Sequence, residues 1–468
     1  MSTNPSPRAT QDPSVSDPIS DLADRLSRLL GGAVEGLARL SGGASRETWA
    51  FDLRKADGTA QPLILRRDPP NAARTGGMPM EAQLFGVAAR VGVPVPRLLA
   101  SGDADPDVLG TGFLVMERVE GETLARRILR DEPYAHARTV LVEHMGQALA
   151  RLHSVDKTSV AALEHVDTLA KYREMLDTFG YSSPAFEMAF RWLDEHRPEP
   201  TGDVVLHGDF RLGNVIVDAS GLAAVLDWEL GRLGDPAEDL GWLCVRAWRF
   251  GGAGPVAGLS DYDVLLRAYK DAGGVDISVE TLRWWEAVGT LAWGVMCLLQ
   301  ANAHMTGAIR SVELAAIGRR ATEQEQDLLD LLGVAPAGPL PEPTPPGTLT
   351  GAPTLPSLVE AVREFLERDV MASTSGRVQF HSRVAVNVLA MVERELALLP
   401  GMMTAHERGL HALGLSSEAE LAHRIRIGTI DYTHPAVAQL VRDTVACRLA
   451  IVNPKHLALT SAPGDATR

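Results

Sequence analysis

Hydrophobic positions in the first quarter of the chain change their period twice. Ile19, Leu22, Leu26 and Leu29 recur at helical spacing and stop at Gly31-Gly32, which predicts an amphipathic helix. After them the period falls to two: 34–40, 48–53 and 62–67 read as short strands, the last two joined by an Asp57-Gly58 hairpin turn. Around 80–91 the helical period returns, VPVP breaks it, and GFLVMERVEGE at 112–122 reads as a further strand leading into a linker. From Glu143 onward helices dominate. Two apolar β-type runs interrupt them, in VVLHGDFRLGNVIVD at 204–218.

Past Gly333, the stretch VAPAGPLPEPTPPGTLTGAPTLP is too proline-rich to pack regularly and predicts a stiff linker. Beyond it SLVE at 357–360 matches a capping box, with Ser357 as cap and Glu360 reaching back. Val384, Val388, Met391 and Glu395, then Leu421, Ile425 and Ile427, continue a helical pattern. The expected divisions are a disordered tail (1–18), a sheet lobe (19–119), a mainly helical lobe (120–333), the linker (334–356) and a separate all-α domain (357–468).

A length of 468 residues exceeds one ordinary core, and 45% apolar with 22% charged residues is the balance of a soluble globular chain. The formal net charge of -15, with arginines dispersed, argues against a nucleic-acid partner. Cys244, Cys297 and Cys447 are odd in number and far apart, which predicts buried thiols and a cytoplasmic location. The polar N-terminus has no apolar core of a signal peptide. Residues 287–309 carry no fixed charge, but Thr290, Gln300, Asn302, His304 and Thr306 interrupt them, so a buried core helix is expected and no membrane span.

Turn chemistry explains Gly208 and Gly213. It does not explain Asp209 and Asn214 five residues apart, with Asp227 thirteen residues further on at the end of AAVLDWE. Phosphoryl transfer needs a base to orient a hydroxyl and hard oxygen ligands to hold Mg²⁺ against phosphate. Asp209 can be that base, and Asn214 and Asp227 those ligands. His207 reads as a structural histidine bracing the loop.

HGDFRLGN followed by LDWE resembles the aminoglycoside phosphotransferase family, a branch of the protein-kinase-like fold that acts on small molecules. The resemblance implies an α+β, bilobal kinase-like fold with a small antiparallel-sheet lobe and a mainly helical lobe, ATP and Mg²⁺ as cofactors, and a hydroxyl-bearing small molecule as acceptor. It implies Asp209 as catalytic base, Asn214 and Asp227 as metal ligands, and Arg211 near the transferring phosphate. SGGASRET then stands where the nucleotide-covering loop lies, with Gly42, Gly43 and Ser45 approaching phosphate. Arg66 takes the place of the phosphate-binding lysine with Glu81 as its partner, and MERV supplies the hinge beside adenine through Glu117 and Val119. GDPAEDLGWL at 234–243 is implied to be a structural segment that begins a helix.

The sequence is most similar to family members found alongside acyl-CoA dehydrogenases, which implies a hydroxy acid or hydroxyacyl thioester as acceptor. The alternatives are an antibiotic phosphotransferase and, in another class, a nucleotide-binding scaffold that presents the tail. A polycationic aminoglycoside would need a dense acidic pocket, whereas Glu229, Asp235, Glu238 and Asp239 are largely accounted for by the structural segment. For the tail, docking on the second lobe, homodimerisation and closure over the acceptor pocket all stay open.

Overall fold

The computed structural model describes residues 18–40, 46–69, 77–343 and 353–460. The chain divides into two compact units, Met1–Gly121 with Ala223–Glu229, and Glu122–Leu222 with Leu230–Arg468.

The first unit contains α1 (Pro18–Leu30), β1 (Ala33–Arg39), β2 (Glu47–Arg54), β3 (Ala60–Arg67), α2 (Gly77–Arg90), β4 (Leu98–Gly102) and β5 (Phe113–Glu117). The strands form one antiparallel sheet in the order β1-β2-β3-β5-β4. Alternate side chains of its strands, Trp49, Phe51 and Leu53, Leu63 and Leu65, Phe113 and Val115, bury one face together with Leu22 and Leu26 of α1. The turn between β2 and β3 is set by Asp57, whose carboxylate accepts the Thr59 N–H at 2.9 Å, and by Gly58 at φ +85°. Strand β4 has no counterpart in the period-two reading. It follows VPVP directly and pairs with β5 through a register shift, so no clean alternation marks it.

The second unit opens with α3 (Ala125–Arg130), α4 (Ala135–His153), α5 (Thr168–Phe179) and α6 (Pro184–Glu195). Short strands follow: β6 (Val204–Leu206), β7 (Val215–Asp218), β8 (Gly221–Val225), whose last residues belong to the first unit, and β9 (Arg232–Gly234). Strand β6 pairs with β9 and β7 with β8, so the two apolar runs that flank HGDFRLGN are not paired with each other. Then come α7 (Pro236–Cys244), α8 (Tyr262–Asp271), α9 (Val279–Met305), α10 (Val312–Arg319) and α11 (Ala321–Leu331). Helix α9 runs through the core with Trp284, Val288, Leu291 and Val295 packed against Phe186, Phe190 and Leu193 of α6. No helix of the described residues is long and apolar enough to cross a membrane.

The C-terminal region is helical, as expected: α12 (Leu355–Phe365), α13 (Met371–Ser373), α14 (Gly376–Ala412), α15 (Glu418–Arg426), α16 (Pro435–Val452) and α17 (Pro454–Thr460). Its first cap is Thr354 and not Ser357, because Pro356 is tolerated in a first helical turn and the helix therefore starts earlier; the Thr354 hydroxyl accepts the Ser357 N–H. Leu410, Leu421, Ile425, Val441 and Val445 share one apolar cluster with Met188 of α6 and Leu329 of α11. Around that cluster α11 buries an unusual run of polar side chains. Ser183 donates to Glu325 at 2.6 Å, Arg442 of α16 to Asp330 at 2.7 Å, and His456 of α17 lies 2.7 Å from Asp327. The proline-rich stretch begins against α16, where the Gly338 N–H donates to Asp443 at 2.8 Å. Residues 344–352, like the N-terminal tail 1–17, lie outside the described residues.

Candidate active site

In the second unit, the loop between β6 and the 3-10 turn Leu212–Asn214 is organised by α7. Asp235 caps that helix, accepting the Ala237 N–H at 2.8 Å. One turn further on, the buried carboxylate of Asp239 accepts the backbone N–H groups of His207 at 2.8 Å and Gly208 at 2.9 Å, and His153 Nε2 lies 3.3 Å away. Burial pushes the Asp239 carboxyl upward, but His153 and His207 outweigh it and hold the group below the usual carboxylate range. Gly208 adopts φ +79°, and a Cβ there would stand 2.3 Å from the Leu230 carbonyl oxygen, so the turn admits no side chain.

This loop presents Asp209 with both carboxylate oxygens held. Trp242 Nε1 donates to Oδ1 at 2.8 Å, Arg211 Nε to Oδ1 at 2.9 Å, and Asn214 Nδ2 to Oδ2 at 2.6 Å. His207 is fully buried, and its Nδ1 accepts the Asp209 N–H at 3.2 Å, which is a bracing contact. The Arg211 guanidinium lies over the Trp248 ring, 4.5 Å from its centroid, and Trp248 packs in turn against Trp242 and Trp293.

The first unit holds a separate cluster. Arg66, on β3, donates from Nη1 to Glu81 of α2 at 2.7 Å and from Nη2 to Asp227 at 2.7 Å. Burial works against its charge, but Glu81 and Asp227 outweigh it and raise its pKa. Asp227 is one of the non-glycine residues in the left-handed region, at φ +65°. Its neighbour Trp228 is buried beside Phe85 of α2, ring centroids 6.0 Å apart, which anchors the segment that carries Asp227. Arg46 is buried among Glu81, Asp68 and Glu229, donating to Glu81 and to Asp68 at 3.2 Å.

The structure thus brings together Asp209, Asn214 and Arg211 in one unit, and Arg66, Glu81 and Asp227 in the other. Arg211 is bound to Asp209 itself. Glu117 ends β5, and Val119 lies just past it. Gly42, Gly43 and Ser45 lie outside the described residues. Arg46 and Trp242 are among the members of these clusters that the sequence reading did not single out. Arg46 lies inside SGGASRET, where a lone arginine looks like surface. Trp242 stands three residues after Asp239, a helical spacing that turns both toward the loop and was a usable signal.

Comparisons with known proteins bear on the family and the fold. Mouse acyl-CoA dehydrogenase family member 10 is 31% identical over 274 residues, 54% of this chain and 24% of its own length. Rat acyl-CoA dehydrogenase family member 11 is 30% identical over 202 residues, 39% of this chain and 25% of its own length. The chain therefore spans about a quarter of these relatives. A solved structure from Ralstonia eutropha, provisionally described as an aminoglycoside phosphotransferase, is 21% identical with a TM-score of 0.53, covering 65% of this chain and 95% of that one; it shows the shared kinase-like fold. Residues 372–456 match a domain of unknown function, DUF6285. Residues 36–274, just over half of the chain, match the model of the phosphotransferase enzyme family, and the chain belongs to that family.

Proposed function

We propose that the chain transfers the γ-phosphate of ATP to a hydroxyl of a small molecule. The observation that carries this reading is Asp209, held in place through both carboxylate oxygens by Trp242, Arg211 and Asn214 on a loop that Asp239 ties down. A carboxylate so fixed orients an acceptor hydroxyl and takes its proton as the oxygen attacks phosphorus. Arg66, paired with Glu81, is assigned to the ATP phosphates, with Gly42, Gly43 and Ser45 of the preceding loop covering them. The backbone at Glu117 and Val119 is assigned to adenine.

Mg²⁺ fits the donor set assigned to it. Asp227 offers a carboxylate and Asn214 an amide oxygen, its Nδ2 being turned to Asp209, and both are hard oxygen donors. Bound there, the ion would neutralise charge on the phosphates. Arg211, which donates to Asp209, is assigned to the transferring phosphate.

The acceptor is read as a hydroxy acid or a hydroxyacyl thioester and not as a polycation. Glu229 pairs with Arg46, Asp235 caps α7, Glu238 pairs with Arg232 at 2.7 Å and Asp239 holds the loop, so the acidic residues that follow Asp227 already have partners. The surface beside Asp209 is aromatic and carries Arg211. The names of the curated relatives point the same way. ADP release over a panel of hydroxy acids, their coenzyme A thioesters and aminoglycosides tests the reading: turnover is expected with the first two classes, and turnover confined to aminoglycosides would refute it.

A further inference from the structure

A cavity of about 540 Å³ in the second unit has no part in the chemistry above. Helices α3 and α4 form one side, through Arg130, Arg138 and Thr139, and the loop 249–260 forms the other, through Phe250, Gly252 and Ser260. Its volume lies in the range of metabolite sites. Two arginines and no acidic side chain line it, in a chain whose formal net charge is -15. No carboxylate of the described residues pairs with either arginine. Arg138 is fixed by its bonds to the carbonyl oxygens of Ile128 at 2.9 Å and Asp131 at 2.8 Å, so its guanidinium is placed in advance.

The loop opposite is built tightly. A Cβ at Gly252 would stand 2.2 Å from the Gly258 carbonyl oxygen, and one at Gly258 2.4 Å from that of Arg249, so the chain folds back on itself where only glycine fits. Phe250 and Ala257 are held in the left-handed region at φ +48° and +52°. Such backbone costs free energy and persists where packing over-determines it, commonly at ligand sites. Phe250 is the wall that this cavity shares with the reaction centre: its ring packs with Trp242 and Trp248 and faces Gly213, where a Cβ would lie 3.8 Å from Phe250 Cζ.

We propose that this cavity is a subsite for a phosphate group carried at the far end of the acceptor, whose hydroxyl end is served by Asp209 beyond Phe250. The assignment to the acceptor rests on the phosphotransferase reading; the phosphate chemistry rests on the cavity alone. Two arginines lining one cavity that has no acidic side chain in its walls favour a phosphate, which accepts several charge-assisted hydrogen bonds.

The test separates the two readings by measuring binding to the full chain without nucleotide. Coenzyme A, pantetheine and inorganic phosphate are titrated by calorimetry into the wild type, into Arg130→Glu and into Thr139→Trp, which fills the cavity without changing its charge; both residues are exposed. Coenzyme A is expected to bind the wild type, to weaken about tenfold or more in each variant, and to bind more tightly than pantetheine or phosphate. In turnover, Arg130→Glu is expected to raise KM for a phosphate-bearing acceptor with kcat and the KM for ATP unchanged. Coenzyme A binding that is absent, or indifferent to both substitutions, would overturn the subsite. Inorganic phosphate binding as tightly as coenzyme A would overturn its assignment to the acceptor. Loss of turnover in the wild type with coenzyme A binding intact would count against the phosphotransferase reading alone.

Discussion

Asp209 and Asp227 are held in different ways, and the difference decides what each substitution does. Asp227 is bound by Arg66 in a left-handed backbone that aspartate tolerates better than most residues. Asp227→Ala is expected to weaken ATP binding in the presence of Mg²⁺ far more than binding of metal-free nucleotide, because the carboxylate is assigned to the ion; equal losses in titrations with and without Mg²⁺ would remove it from that role. Arg46→Met is expected to destabilise the fold by about 3–5 kcal/mol in urea unfolding, since it leaves Asp68 and Glu81 buried around a missing charge. An unchanged midpoint would show that Arg66 alone satisfies Glu81. Spacing made Asp209, Asn214 and Asp227 legible in the sequence, because they lie on one stretch of chain with little else to explain them. Arg46 was not legible, because its partners stand 22 and 35 residues away and only the folded sheet and α2 bring them together.

Elements show the same division between local and distant causes. Strands β2 and β3 alternate cleanly and their hairpin turn has its own chemistry, so both could be read from the sequence; β4 and the pairing of β6 with β9 depend on partners the local pattern does not reveal. Helix α11 is the extreme case. Thr322 to Asp327 are all buried polar residues, which no periodicity rule would place inside. Burial works against charge on His456, but Asp327 outweighs it and raises the imidazole above its ordinary 6.5. That pair stabilises the fold fully below 6.5 and its contribution disappears as pH rises through the raised value. Burial pushes the Glu325 and Asp330 carboxyls up too, so their contributions fall with rising pH from the ordinary carboxylate range upward. Thermal unfolding is therefore expected to show that, from about pH 6 to about pH 8, the Tm of the wild type falls relative to that of His456→Gln. An identical slope in that variant would show that the His456–Asp327 contact carries none of the dependence.

At the scale of the whole molecule, the sequence reads the helical C-terminus as an appended unit, whereas its helices share an apolar cluster and buried ion pairs with α6 and α11. A chain ended at Gly333 is expected to expose Met188 and Leu329 and to unfold at a lower Tm, while nucleotide binding per folded molecule changes little, since Arg66, Glu81 and Asp227 belong to the first unit. An unchanged Tm would make the tail a passenger. The central claim is that Asp209 is the base of a phosphotransferase, and it is tested most directly by one comparison. Single-turnover transfer of labelled γ-phosphate from ATP to an acceptor found in the panel is measured for wild type and Asp209→Asn, with ATP affinity measured alongside. Base positioning of this kind contributes about 10² to 10⁴-fold, so the variant is expected to transfer phosphate slower by that factor at unchanged ATP affinity. Equal transfer rates in the two proteins would contradict the account.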